Sequence, residues 1–279
     1  MKKILVFSLV VVALLGGVFV VRGMSSKEKV VAGDEVRINS TPTPTAEKLS
    51  PPENVNIPIL MYHTSSVEEP KSNLKELYVK PAEFENQIEY LKDNGYTFVT
   101  FDDWNRLNNI KKPVMLTFDD GYLENYTQIF PILKKHDAKI TLFLTVNHMD
   151  IDDGVTYKGD GFSSKMVKEM SDSGLVKFEG HTITHPSLVQ IAGNNGRIEQ
   201  ELGTAKRKIE EITGKDVLAI AYPNGEYNEA VIKKAKEYYK FGLRKDGGLH
   251  NTNYSDFEIR RSRVNRSTTL ESFKSLVAL

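Results

Sequence analysis

The sequence predicts an α/β fold: a distorted (β/α) barrel with about seven parallel strands and an active site at their C-terminal ends. Two observations carry this expectation. From Ile57 onward, short runs rich in aliphatic and β-branched residues alternate some seven times with segments of helical periodicity, the pattern of parallel strands joined by crossover helices. The polar clusters at His63, Asp119-Asp120, His181 to His185 and Tyr222 to Gly225 each follow directly on one of those runs, which is where such a barrel carries its chemistry.

Ile57 to Tyr62 reads as the first strand, ending in His63. Pro81 to Asn94 reads as a helix, with Phe84, Ile88 and Leu91 at i, i+4 and i+7 and Gly95 as its stop. Tyr96 to Thr100 is a second strand, and the short helix after Asp102-Asp103 carries Trp104. The third strand, Val114 to Phe118, precedes a helix over Asn125 to His136 that Pro131 is expected to break or kink. Lys139 to Val146 is the fourth strand, followed by a polar insertion to about Gly161. A short helix, Ser164 to Met170, leads through Gly174 to a strand at Val176 to Glu179 that delivers His181. Ile198, Leu202, Ala205, Ile209 and Ile212 share one helical face, which Gly214 closes. Strands at Val217 to Ala221, Phe241 to Arg244 and Ile259 to Val264, with helices at Glu229 to Tyr239 and Leu270 to Val277, complete the chain.

The net charge is zero, so no nucleic-acid footprint is visible. The absence of cysteine excludes disulfides, thiolate metal sites and cysteine nucleophiles together. Met1-Lys2-Lys3 precedes eighteen uncharged residues, Ile4 to Val21, and then Arg22. As a helix that run spans roughly 27 Å, close to the hydrocarbon thickness of a bilayer. Residues 1–23 are therefore expected to be an uncleaved membrane anchor, or a signal peptide if cut, with the lysines kept in the cytoplasm. Residues 24–56, with Thr41-Pro42-Thr43-Pro44-Thr45 and Pro51-Pro52, suit an extended spacer. Residues 57–279 then form one catalytic domain outside the cytoplasm, expected to act as a monomer.

Two adjacent carboxylates at the end of an apolar strand repel each other unless a cation neutralises them, although Asp120-Gly121 also suits a plain turn. His181 and His185 are four residues apart, and Pro186 disfavours a helix there, so a turn after a strand is expected. They could be ordinary loop histidines. Taken with one aspartate, they make a three-ligand set for Zn²⁺ or a similar ion, with coordination positions left open. The other aspartate is then free to accept a proton from water, which is equipment for hydrolysing an amide or ester.

Thr117-Phe118-Asp119-Asp120-Gly121 and His181-Thr182-Ile183-Thr184-His185, about sixty residues apart, resemble the first two motifs of the polysaccharide deacetylases, carbohydrate esterase family four with the NodB-homology fold. The resemblance runs from Pro58-Ile59-Leu60-Met61-Tyr62-His63 to Arg261-Ser262-Arg263-Val264 and is closest in motif style to the poly-N-acetylglucosamine and peptidoglycan deacetylases. It implies Asp119 as general base and Asp120, His181 and His185 as ligands of one divalent metal, Zn²⁺ first, with Co²⁺, Ni²⁺ or Mn²⁺ as alternatives. The third motif departs from the Arg-x-Pro-Tyr form: Ala221 falls at or near the arginine and Asn224 at the tyrosine. An arginine of the last strand, Arg263 or its neighbour Arg261, is the candidate orienter of Asp119 in its place. The backbone N–H of Asn224 is the candidate second oxyanion donor, and His63 the candidate general acid. His250, after Gly247-Gly248-Leu249, echoes a Leu-x-His motif but reads more simply as a hydrogen-bonded loop histidine. Tyr62, Tyr122 and Tyr222 are expected to flank the site and offer rings for stacking on sugars, while Trp104, Tyr238 and Tyr239 read as core or rim aromatics.

The resemblance implies a metal-dependent N-deacetylase acting on N-acetylglucosamine residues of a cell-wall or extracellular glycan. The alternatives are an O-acetyl esterase of the xylan type on the same scaffold, or a catalytically idle glycan-binding protein.

Overall fold

The structure, a computed structural model, describes residues 51–71, 73–149 and 161–279. The expected anchor, the spacer as far as residue 50, and residues 150–160 of the polar insertion lie outside the described residues. Among those described, no helix is long and apolar enough to cross a membrane.

Seven parallel strands close into a barrel in chain order: β1 (Ile59–Tyr62), β2 (Pro113–Asp120), β3 (Ile140–Leu144), β4 (Val176–Gly180), β5 (Ala219–Ala221), β6 (Phe241–Gly247) and β7 (Ile259–Arg263). The ring closes because β1 pairs on both sides, Met61 lying opposite Thr117 of β2 and opposite Arg263 of β7. The strand expected at Tyr96 to Thr100 shortens to Thr97–Phe98 and pairs only with Pro113 and Val114 at the start of β2, outside the ring. The barrel is thinnest between β4 and β5, where a single register pair, Gly180 with Ile220, joins the strands. Glu179 supplements that joint. One of its carboxylate oxygens accepts the N–H groups of Leu218 and Ala219 at 2.6 and 2.8 Å, and burial pushes its pKa up to about 8.

Strand alternation sorts the core into two parts. Ile59, Met115, Phe143, Ala219, Leu243 and Ile259 fill the barrel and meet Phe101, Trp104 and Leu107 of the 3₁₀ helix Phe101–Asn109, which precedes β2 and so plugs the end remote from the strands' C-termini. Leu60, Leu116, Phe118, Leu142 and Phe178 face outward and pack with the helices. Each such side chain contributes about 1.5–3 kcal/mol by leaving water.

The helix Pro81–Asp93 begins on its proline, and Gly95 follows at φ 73°. The segment expected to break at Pro131 divides just before it, into a π turn, Asn125–Ile129, and an α-helix, Phe130–His136. The apolar face from Ile198 to Ile212 is likewise carried by Asn195–Glu199, a π turn Gln200–Thr204 and Ala205–Thr213, closed by Gly214 at φ 69°. The helix at Glu229 ends at Ala235 rather than Tyr239, and the Tyr239 hydroxyl instead turns inward to donate to the Leu202 carbonyl at 2.8 Å. Asn56–Ile57 pairs antiparallel with His250–Asn251, and Val55 N–H donates to Thr252 Oγ1 at 2.9 Å. The folded unit therefore begins before Ile57, inside the last residues expected of the spacer.

Candidate active site

A cleft of about 390 Å³ opens at the C-terminal ends of the strands and is lined by Asp119, Asp120, His181, His185, His63 and Asn224, among others. Successive strand residues face opposite ways, so two adjacent aspartates reach one cleft only if the chain turns. It turns at Asp120, whose φ is 75°. Thr182, His185 and Asn224 also have positive φ, so four of the seven non-glycine residues in that region, among those described, belong to this one site. Such conformations persist only where neighbouring contacts over-determine them.

Those contacts are explicit in the histidine loop. Glu201, in the π turn, accepts the N–H groups of Ile183 and Thr184 with Oε2, each at 2.9 Å, and the Thr184 hydroxyl with Oε1 at 2.6 Å. Thr182 Oγ1 accepts the His185 N–H at 2.9 Å. His181 Nδ1 lies 2.8 Å from the Ala221 carbonyl, which can only accept, so Nδ1 carries the proton and the Nε2 lone pair faces Asp120. Because the backbone of residue 221 supplies this bond, an alanine there serves as well as any side chain.

The donor set fits a divalent ion. His181 Nε2 and His185 Nε2 lie 3.5 and 3.7 Å from Asp120 Oδ1, and the three ligand atoms fall within 4.8 Å of one another. Ligands about 2.0–2.2 Å from a tetrahedral centre are separated by roughly 3.4 Å, close to the two Asp–His separations. Burial opposes the charge on Asp120, but the close imidazoles, His181 first, hold its carboxyl well below the usual carboxylate range. Glu85, Glu89 and His136 form a second such group on the outer helices, yet Lys135 already meets Glu85 at 2.7 Å.

Asp119 is 3% exposed and takes no part in that triad. Burial alone would raise its pKa, but the Arg261 guanidinium and then His181 bring it below its ordinary value. Arg261, not Arg263, is the partner: Nη1 and Nη2 donate to the two carboxylate oxygens at 2.7 and 2.8 Å. Both arginines face the barrel, two residues apart on β7, but Arg263 starts at the rim and ends exposed. Arg261 starts about 6.6 Å deeper, where Nε also donates to the Arg244 carbonyl at 2.9 Å and Nη1 to Thr117 Oγ1 at 3.1 Å.

His63 lines the cleft as expected, and burial holds its pKa below the usual histidine value. Asn224 lines it too. The three tyrosines separate. Tyr122 is a partly exposed wall residue near Asp120. Tyr62 is wholly buried against Phe84 and Phe118, its hydroxyl 2.7 Å from Gln87 Oε1, because its even position on β1 faces outward to the helices. Tyr222 flanks the site as expected, but it is 1% exposed, its ring stacked on Tyr227 and its hydroxyl bonded to the Phe257 carbonyl at 3.0 Å. Neither can stack on a sugar. His250 sits away from the cleft beside Trp104 and Tyr254. His148, to which no sequence motif points, lines the cleft near Tyr122, brought there by the short turn after β3. Nothing local in the sequence marks Glu201, which reads as one more charge on a helix.

A family model described as polysaccharide deacetylase matches residues 106–240. A polysaccharide deacetylase from Bacillus cereus superposes with a TM-score of 0.74 at 36% identity, covering 81% of this chain and 70% of its own. A Streptococcus pyogenes deacetylase solved in complex with acetate superposes at 0.71 and 30% identity, covering 81% of this chain and 100% of its own. The poly-β-1,6-N-acetyl-D-glucosamine N-deacetylase of Staphylococcus aureus is 29% identical over 201 residues, 67% of this chain and 68% of that protein. This chain belongs to the polysaccharide deacetylase family. Its class is thus that of hydrolases acting on acetylated glycans, on a (β/α) barrel with an Asp-His-His group at the mouth.

Proposed function

We propose that the protein is a metal-dependent N-deacetylase that removes acetyl groups from N-acetylglucosamine residues of a cell-wall or extracellular glycan. The observation that carries this reading is the Asp120, His181 and His185 triad standing beside a buried carboxylate, Asp119, clamped by an arginine. The related S. aureus protein is named for the same reaction on poly-β-1,6-N-acetyl-D-glucosamine.

Asp120, His181 and His185 would hold the ion, most simply Zn²⁺, with Co²⁺, Ni²⁺ or Mn²⁺ as alternatives. When bound, it supplies the Lewis acidity that lowers the pKa of water and polarises a carbonyl. Asp119 takes the proton of the attacking water; Arg261 keeps it ionised and fixes its plane, leaving outer lone pairs on both oxygens for that proton. His63 is the candidate donor to the leaving amine. Burial keeps it neutral at pH 7, so it must take up a proton within the cycle before giving one. The Asn224 N–H is the candidate partner of the developing oxyanion.

Ala221 in place of the third-motif arginine would favour an idle glycan binder only if the base lacked a partner. Arg261 fills that place from β7, which supports the catalytic reading. We also propose, from Met1 to Arg22, that the protein works outside the cytoplasm, anchored by that helix or secreted if it is cut. The test is acetate release from N-acetylglucosamine oligomers by the purified protein, after chelation and again after Zn²⁺ or Co²⁺ is restored. Release that stops on chelation and returns with metal is expected. Release from acetyl-xylan alone would instead assign the O-acetyl esterase.

A further inference from the structure

The carboxylates of the cleft are both engaged: Asp119 by Arg261, Asp120 by the imidazoles. Two further cations line the same cleft, Lys245 on β6 and Arg263 on β7. Neither side chain has a hydrogen bond, an ion pair or an aromatic ring as partner among the described residues. Their neighbours differ: Arg244 is paired with Asp246 at 2.8 Å, Arg260 lies over the Tyr254 ring at 4.0 Å, and Arg266 donates to the Ser66 and Tyr78 carbonyls. A lone solvated lysine is ordinary on a surface. Here a lysine and an arginine occupy adjacent strands and line both the catalytic cleft and the neighbouring cleft that runs past Gly247 and Gly248, so they stand on the wall between the two.

The chain makes specific room for one of them. A Cβ on Gly225 would lie 2.5 Å from Lys245 Cγ and 2.8 Å from its Cβ and Cδ. The lysine stem therefore lies directly against the Tyr222 to Gly225 loop, beside Asn224, rather than swinging free. A neutral glycan offers these two charges only hydroxyl and amide oxygens, with no charge to match. A deacetylated one offers ammonium groups, which they repel.

We infer that Lys245 and Arg263 form a subsite for an anionic substituent, a carboxylate or a phosphate, on the sugar next to the residue being deacetylated. The inference rests on the deacetylase reading and narrows its substrate class from neutral poly-N-acetylglucosamine to an acidic glycan. Both cations sit at the rim, so the attraction adds to a binding energy set mainly by the sugar and is screened by salt.

The test uses three oligosaccharides of equal length: a neutral N-acetylglucosamine oligomer, one with a lactyl-type carboxylate on alternate residues, and one with a phosphate ester. Binding to the purified protein is measured by calorimetry, and acetate release is followed separately. At least one acidic oligomer is expected to bind about threefold to tenfold more tightly than the neutral one at low salt, with the advantage shrinking as salt rises. Which acid wins tells carboxylate from phosphate. Lys245→Glu should erase or reverse the acidic-to-neutral ratio, and Arg263→Gln should reduce it. Equal binding of all three, or a ratio that Lys245→Glu leaves unchanged, overturns the subsite. Acetate release from none of them, with the binding preference intact, would instead count against the deacetylase reading alone.

Discussion

Arg261 and Asp119, 142 positions apart in the chain, meet inside the barrel through two parallel hydrogen bonds of 2.7 and 2.8 Å, with 1% and 3% of their surfaces exposed. This fork joins the last strand of the barrel to the second and sets the plane of the proposed base. Losing one partner leaves the other charge buried and unmatched, at a cost of about 3–5 kcal/mol. Arg261→Ala is therefore expected to lower the melting temperature and abolish activity together. Arg261→Lys keeps the charge but not the fork, and its kcat/KM should fall on the order of 10²-fold through misplacement of the carboxylate. Near-normal turnover in Arg261→Lys would show that the fork's geometry is dispensable.

Base and ligands should separate under mutation. Asp119→Asn is expected to keep its metal and lose turnover by about 10²–10⁴-fold, while His181→Ala should lose both. Metal content by elemental analysis, set beside acetate release, distinguishes the two. Persistent metal-dependent turnover in Asp119→Asn would falsify its role.

Glu201 gives the histidine loop its shape without touching the cleft. Removing its carboxylate strands the N–H groups of Ile183 and Thr184 and releases a loop that holds Thr182 and His185 at positive φ. Glu201→Ala should weaken Zn²⁺ binding on the order of 10- to 100-fold, read by competition with a chromophoric chelator, with much of kcat recovered at saturating metal. Glu201→Gln retains an acceptor for the two N–H groups and should lose less. Unchanged affinity in Glu201→Ala would mean the loop holds itself.

His250 predicts an acid limit to stability. Burial, with help from Arg260, lowers its pKa to about 4, against about 6.5 in an unfolded chain. The folded state thus disfavours the proton. Its contribution is complete above about pH 6.5 and declines as pH falls toward 4 and below. In urea titrations across that range, the loss of unfolding free energy should be smaller in His250→Phe than in the parent. Equal slopes would show that His250 does not govern it.

Periodicity and punctuation in the sequence specify most of the barrel. The strand cores at Leu60, Leu116, Leu142 and Phe178, the proline-led helix at Pro81 and the glycine stops at Gly95 and Gly214 are local signals, settled by alternation, helical spacing and φ preference. Asp119, Asp120, His181 and His185 were legible for a related reason: each pair lies within five residues at a strand end, so chain connectivity already brings its members together. The arginine that reaches Asp119 was not decided by sequence. Arg261 and Arg263 share one face, and only their depth in a closed ring tells them apart. Tyr62 falls beside the motifs in sequence but behind the wall in space, since a one-residue step along a strand exchanges cleft for core. Glu201 and Lys245 carry no local mark. Their partners lie 17 to 20 residues away, and such contacts exist only once helices and strands have packed.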